Sequence, residues 1–352
     1  MMGPPAMRTN VFAVAAIGLA IASGPSCRRD ERPPVPAASG RPFTVGVLQS
    51  VDSPTASELR RGLRRAFAEA GLVEGRDIVV ALRIADNDIA EVQRLARELA
   101  GGGADLIVPL STQALQAAIL STRSVPIVFG AVAVPYLVGA GRSAADHLPN
   151  VTGVVSTGPV RETVSLIREV LPSARRIGSL WTPAEINSEY YLEQARAAAL
   201  ALGFDLIAVP VDGPAAIQPA LRRLLNGRVQ ALLPMSDNTL NSSFDIVGRA
   251  ADEAGVPLFA SFLRSVEFGA CAALGFDFAE MGLETGRLVV RVKNGESPGR
   301  IPIRSLAEVR LYLNSAAAAK QGVVFPTSVL GRASRTVALT PAGEGVPAPV
   351  LD

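Results

Sequence analysis

Ala104-Asp105-Leu106-Ile107-Val108-Pro109-Leu110-Ser111-Thr112 is an apolar run that ends on a proline and then on hydroxyls, and Val229-Gln230-Ala231-Leu232-Leu233-Pro234-Met235-Ser236-Asp237 repeats it. Each run is followed by a stretch of helical character and then by a second matched pair, Val125-Pro126-Ile127-Val128-Phe129-Gly130 and Val256-Pro257-Leu258-Phe259-Ala260-Ser261. The openings correspond too: Val45-Gly46-Val47-Leu48 parallels Ile177-Gly178-Ser179-Leu180, about 130 residues later. The period is far longer than the roughly 20–50 residues of a solenoid or propeller repeat. It is the length of a lobe, and two similar lobes facing each other make a cleft in which a ligand can sit.

Around these runs the hydrophobic pattern alternates between short apolar strands and helices. The first copy predicts strands over 44–48, 77–84, 106–109 and 127–131, with helices over 55–70, 90–100 and 113–121. In the helix over 55–70, Leu59, Leu63, Ala66 and Phe67 recur at three and four residues, while Arg60, Arg61, Arg64 and Arg65 fill the wet face. The second copy predicts strands over 177–180, 206–211, 232–235 and 258–261, with helices over 188–202, 215–225 and 238–254. Gly101-Gly102-Gly103 reads as a turn ending a helix. Strands alternating with helices give an α/β fold class: two Rossmann-like lobes, each a parallel sheet flanked by helices.

The 352 residues suffice for two domains of ordinary size. Hydrophobic residues make up 49% and charged residues 19%, which suits a well-buried body. A net charge of +2 and an aromatic content of 5% argue against a nucleic-acid partner. With two cysteines, Cys27 and Cys271, and one histidine, no Cys/His zinc cluster is expected. A catalytic triad would have to use His147, which lies in what reads as a surface connection, Ala144-Ala145-Asp146-His147-Leu148-Pro149.

The N-terminus reads as an export address. Met7-Arg8 precedes the uncharged run 11–22, and Gly24-Pro25-Ser26-Cys27 follows. That run is shorter than the about 20 residues a spanning helix needs. Cys27 stands where a bacterial lipoprotein carries its lipidated cysteine, with small Ser26 before it. The alternative is a conventional signal with a cysteine near its cleavage site. Residues 1–27 are thus expected to be a signal peptide and 28–42 a flexible Pro-, Ala- and Gly-rich linker. With Cys27 lipidated, Cys271 would be an unpaired, buried, inert thiol.

In a doubly wound sheet, ligands bind beyond the carboxyl ends of the strands. That rule nominates Gln49, Ser50 and Asp52; Ser111 and Thr112; Ala131 to Val134; Thr182, Glu185 and Asn187; Ser236, Asp237 and Asn238; and Ser261. A Ser, Thr or Asp between strand and helix is also an ordinary N-cap. What caps do not explain is why both halves present such residues to one another. No Gly-x-Gly-x-x-Gly or Walker loop follows a strand, and no Gly-x-Ser-x-Gly turn occurs, so no cofactor and no catalytic residue is expected.

Residues 43–328 resemble the ABC-transporter substrate-binding proteins of the tryptophan/aromatic amino-acid type. The resemblance is carried by Val45-Gly46-Val47-Leu48-Gln49, Glu69-Ala70-Gly71-Leu72-Val73-Glu74-Gly75-Arg76-Asp77 and Asn150-Val151-Thr152-Gly153, then by Ser236-Asp237-Asn238-Thr239, Pro257-Leu258-Phe259-Ala260-Ser261 and Ala273-Leu274-Gly275-Phe276-Asp277-Phe278. It implies the type I periplasmic-binding-protein fold, with lobes joined by several crossovers. Lobe 1 would be 43–152 with about 276–314, lobe 2 would be 153–275 with about 315–332, and 333–352 a loose tail. The resemblance carries over Gln49, Ser111, Thr112, Asn187, Ser188, Asp237, Asn238 and Asp277 as site residues. For a zwitterionic amino acid, Asp237 or Asp277 would hold the ammonium group, and Ser111, Thr112 and nearby backbone N–H groups the carboxylate. One departure stands out: Val134-Pro135 replaces the family's usual Asp-Pro, and Tyr136 follows.

The function expected is that of an exported solute-binding component of an ABC importer, monomeric, in the periplasm or cell envelope. It would close on a small polar ligand, an amino acid or similar, and serve a permease and ATPase complex. A lipid anchor on Cys27 would hold it at the membrane. The alternatives are a sensory domain that signals to a membrane receptor, which shares every pocket feature, and an enzyme on the same fold, which would need an acid–base pair the sequence does not mark.

Overall fold

The protein is described by a computed structural model over residues 40–306 and 308–339. The signal peptide, Cys27, most of the linker and residues 340–352 lie outside the described residues. The first half runs β1 (Phe43–Gln49), α1 (Pro54–Glu69), β2 (Ile78–Ile84), α2 (Ile89–Glu98), β3 (Leu106–Pro109), α3 (Thr112–Ser121), β4 (Ile127–Val132) and β5 (Val151–Val155). The second runs α4 (Val160–Val170), β6 (Arg176–Trp181), α5 (Ile186–Ala201), β7 (Asp205–Pro210), α6 (Pro214–Asn226), β8 (Ala231–Leu232), α7 (Asn238–Ser242), α8 (Phe244–Ala254), β9 (Phe259–Ala260) and β10 (Ala272–Gly275). The chain then returns through α9 (Phe278–Lys293), β11 (Arg304–Ser305), β12 (Arg310–Asn314), α10 (Ser315–Lys320), α11 (Thr327–Gly331) and β13 (Arg335–Val337).

The first sheet is parallel throughout, in the order β11-β5-β4-β3-β1-β2. The second is built of two runs, β7-β6-β8 and β13-β12-β10-β9, joined by a parallel bridge between Leu232 and Leu258. Read from one edge, β2-β1-β3-β4-β5 and β7-β6-β8-β9-β10 are the same order. Both therefore reverse direction at the same point, between β1 and β3 in one lobe and between β6 and β8 in the other. That reversal opens the crevice where a doubly wound sheet binds its ligand. The two copies of the repeated pattern are β3 and β8, so the doubled sequence marks both switch points.

Local chemistry fixes the helices that start there. Ser53 caps α1 by accepting from the Ala56 amide (3.1 Å), with Pro54 in the first turn. Ser111 caps α3 through the Ala114 amide (3.1 Å), and Asp237 caps α7 through the Leu240 amide (2.7 Å). The polar endings of the repeat are caps in both halves. Apolar layers lie on the two faces of each sheet, one around Leu115 and Phe129, one around Leu63 and Val108, and their counterparts around Leu192 and Leu221.

Three segments connect the lobes: one between β5 and α4, one between β10 and α9, and one between β11 and β12. After the second of these, α9 packs on α1 with glycines at the close contacts. A Cβ on Gly282 would stand 2.8 Å from the carbonyl carbon of Leu59, and one on Gly62 would stand 2.6 Å from the Leu283 nitrogen. The Arg310 guanidinium bonds Asp277 (2.8 Å) and Glu280 (3.1 Å), tying the third crossing to the second.

Several expectations change. Arg310–Asn314, expected to end lobe 1, pairs antiparallel with β10 in the second sheet, and β13, expected within a loose tail, pairs with β12. Residues 153–155, assigned to lobe 2, complete β5 in the first sheet. Of the strand over 232–235 only Leu232 is retained, in β8, and the helix over 238–254 breaks at Ser243 into α7 and α8. Helix α4 was not foreseen, although Val160, Val164 and Ile167 bury one face of it.

Candidate functional site

A cleft holding about 720 Å³ of space, open mouth included, lies between the strand ends of the two sheets. The wall from lobe 1 is formed by the ends of β1, β3 and β4 and by the first turns of α1 and α3. Ser111 and Thr112 line it. The Ser111 hydroxyl is held by Ser50 Oγ (2.7 Å), and the Thr112 hydroxyl accepts from the Ala133 amide (3.3 Å). The first amides of a helix have no intrahelical acceptor, which applies to Thr112 and Gln113 of α3 and to Thr55 of α1. This wall therefore offers N–H groups at two positive helix ends. Ala131, also on the wall, sits at φ 55°, a left-handed conformation that β-carbon residues rarely adopt, beside a register shift in the β4–β5 pairing.

The wall from lobe 2 is built of acceptors. Asp237 lines the cleft and is 2% exposed. Its Oδ1 accepts from Leu240 and its Oδ2 from the Ser188 hydroxyl (2.7 Å), which itself accepts from the Thr182 amide (2.9 Å). Burial, and then the nearby charge of Glu185, push the Asp237 pKa upward. Glu185 is buried too. Its carboxylate accepts from the Asn238 amide (2.9 Å) and side chain (2.6 Å), and from the Thr239 amide and hydroxyl (3.0 Å each). It thereby fixes the start of α7. Asn187 and Asn241 also line this wall, and each has a buried Oδ1 without a hydrogen-bond partner.

Aromatic groups close the hinge side. Tyr191 on α5 donates to the Ser156 carbonyl (3.0 Å) and accepts from the Gly158 amide (2.9 Å), pinning the first crossing. Phe276 and Phe278 flank the second crossing, and both line the cleft. The lobes also touch across it: the Asn87 side chain donates to Thr239 Oγ1 (2.9 Å), Arg264 lies 4.0 Å from Glu58, and Ile186 packs against the cores of both lobes. Burial pushes the Glu58 carboxyl pKa upward, opposed by Arg264.

The sequence model of the ABC transporter substrate binding protein family matches residues 44–337. The chain belongs to this family. The Tyrosine-binding protein of Clostridioides difficile (strain R20291) is 28% identical over 270 residues, 77% of this chain and 78% of its own. The ABC domain from Streptococcus pneumonia in complex with L-Trp is 27% identical with a TM-score of 0.78, over 83% of this chain and 100% of that one. The ligand-free, open structure of a substrate binding protein with adhesive properties from Clostridium difficile is 26% identical with a TM-score of 0.64, over 84% and 99%. At nearly equal identity and coverage, the likeness to the complexed structure exceeds that to the open one, in keeping with lobes that touch. The fold is that of a type I periplasmic binding protein.

Of the residues nominated for a substrate-binding protein's cleft, Ser111, Thr112, Ala131, Asn187, Asp237, Asn238 and Ser261 line it together. Gln49, Ser50 and Ser188 are buried behind the lining. Ser50 and Ser188 support Ser111 and Asp237, and Gln49 accepts from Arg60 (2.5 Å). Asp277 is the correction. Its Oδ1 caps α9 through the Ala279 amide (2.9 Å) and its Oδ2 faces Arg310, so its carboxylate serves the hinge and not the lining. The nomination missed Tyr191, Asn241, Phe276 and Phe278. Helical spacing carried a signal for the first, since Tyr191 follows Asn187 by one turn of α5. Among the described residues no group of three His, Cys, Asp or Glu could hold a metal ion, and no helix is long and apolar enough to cross a membrane. Cys271 is buried in the second lobe, and burial pushes its thiol pKa up to about 12.

Proposed function

We propose that this protein captures an amino acid with an aromatic side chain between its lobes and delivers it to an ABC permease and ATPase. The polarity of the cleft carries the reading. Lobe 1 turns hydroxyls and unpaired helix-end N–H groups toward it, and lobe 2 turns the buried Asp237 carboxylate. A zwitterion fits with its carboxylate on Ser111, Thr112 and the α3 amides and its ammonium on Asp237. Phe276 and Phe278 offer the side chain an apolar bed. That one relative binds tyrosine by name and another was solved with L-Trp supports the aromatic choice.

Capture is non-enzymatic in this reading: the Asp237 and Glu185 carboxylates of the second lobe are committed to hydrogen bonds and helix caps. The chain would act as a monomer in the periplasm or cell envelope, exported by its leader and anchored through lipid on Cys27. Thermal-shift screening with the twenty amino acids tests the ligand: aromatic ones should raise the melting temperature, and a flat response to all would refute the reading. A Cys27→Ala variant that stayed in the membrane fraction would refute the anchor.

A further inference from the structure

The acceptors of the second lobe outnumber what one carboxylate explains. Asn187, 6% exposed, projects from the first turn of α5, and its Oδ1 is buried and unpartnered. Asn241, one turn beyond the α7 cap, donates its Nδ2 to Ser236 Oγ (3.1 Å). Its Oδ1 is again buried and unpartnered. Both residues line the same wall as Asp237, whose oxygens accept from Leu240 and Ser188. A buried carbonyl oxygen without a donor is destabilising, so two of them in one wall call for a donor-rich group.

An ammonium group has three N–H donors and no acceptor, which matches this set one for one. We infer that Asn187 and Asn241 join Asp237 in a three-acceptor seat that selects a primary ammonium group, and that these two amides determine specificity in the cleft. The inference rests on the amino-acid reading above and goes beyond it. A secondary amine brings one donor fewer and a methyl group, which leaves one acceptor unpaired. A ligand with no nitrogen at this end leaves both amide oxygens unpaired and a carboxylate without its counter-charge.

The test is calorimetric titration of the full chain with three probes: L-tryptophan, Nα-methyl-L-tryptophan and indole-3-propionate, with L-tyrosine and N-methyl-L-tyrosine as a parallel pair. The wild-type protein should bind the primary amine at least about tenfold more tightly than its N-methyl form, and indole-3-propionate not measurably. Asn241→Ala should weaken the primary amine about five- to tenfold and change the N-methyl ligand less than about twofold, so the ratio collapses. Asn187→Ala should do the same, and it carries the test should Asn241→Ala fail to fold. Equal wild-type affinity for the two amines, or a ratio unchanged in folded variants, overturns the inference while leaving capture intact. Failure of the wild-type protein to bind any of the amino acids overturns the amino-acid reading itself, and the seat with it.

Discussion

Replacing Asp237 by Asn should stabilise the ligand-free protein relative to the wild type as pH rises while weakening capture. The carboxyl is buried, and desolvation and the charge of Glu185 both disfavour its ionised form. Its pKa in the folded state therefore lies above that of the unfolded chain. Between the two values the native state holds a proton that the unfolded state has released. Stability then falls as pH rises, by up to about 1.4 kcal/mol per pH unit for one proton, and the penalty is constant above the folded value. An Asn has no such dependence. It keeps the cap, because its Oδ1 can accept from Leu240, and Asn caps about as well as Asp. It loses the acceptor for the Ser188 hydroxyl, a pH-independent cost of about 1 kcal/mol. Melting curves of both ligand-free proteins from pH 5 to 9 should therefore diverge in favour of the variant. The divergence should be about 3–6 °C per pH unit within the titrating window, at about 2–4 °C per kcal/mol. The variant should also lose about 2–5 kcal/mol of affinity for an amino-acid ligand, the usual cost of truncating a buried charge pair. A gap that stays constant with pH would refute the burial argument.

The other expectations concern shape and the hinge. Gly282→Ala drives a Cβ into the backbone of α1 near Leu59 and should destabilise by about 1–3 kcal/mol, read as a lowered denaturant midpoint with an unchanged slope. Ala131→Gly should be neutral or stabilise by up to about 1 kcal/mol, while Ala131→Val, β-branched at a positive φ, should destabilise by more than about 1 kcal/mol in the same assay. Tyr191→Phe leaves the Gly158 amide and the Ser156 carbonyl of the first crossing without their partner and should cost about 1–3 kcal/mol. It should also enlarge the ligand-free radius of gyration in small-angle scattering as the crossing loosens.

The strands were legible because their apolar runs are short, and because the same run occurs twice with the same polar ending. That doubling located β3, β8 and the cleft residues Ser111, Thr112 and Asp237. What escaped was set by contacts distant in sequence. Nothing in Arg310–Asn314 announces that it returns antiparallel to β10, because a strand's own alternation does not encode the direction of its partner. Asp277 reads as a free carboxylate until Arg310, 33 residues away, is seen to hold it. Glu185 looks like a residue before a helix, and only the fold reveals that it fixes the start of another helix, α7. Asn241 carries no motif, and its place on the cleft wall beside Ser236 shows only in the fold.

The glycine-lined seam between α1 and α9 makes a lever of two helices. One end of α9 emerges from the second crossing beside Phe276, and one end of α1 points its first turn at the cleft. With backbone against backbone at Gly62 and Gly282, there is no side chain between them to flex. A twist at that crossing cannot be absorbed by sliding in the seam, so it is delivered to the cleft wall at Ser53 and Thr55. Opening and closing would then be felt by a ligand's anionic end as a rotation of that wall, transmitted through rigid rods from the far side of the hinge.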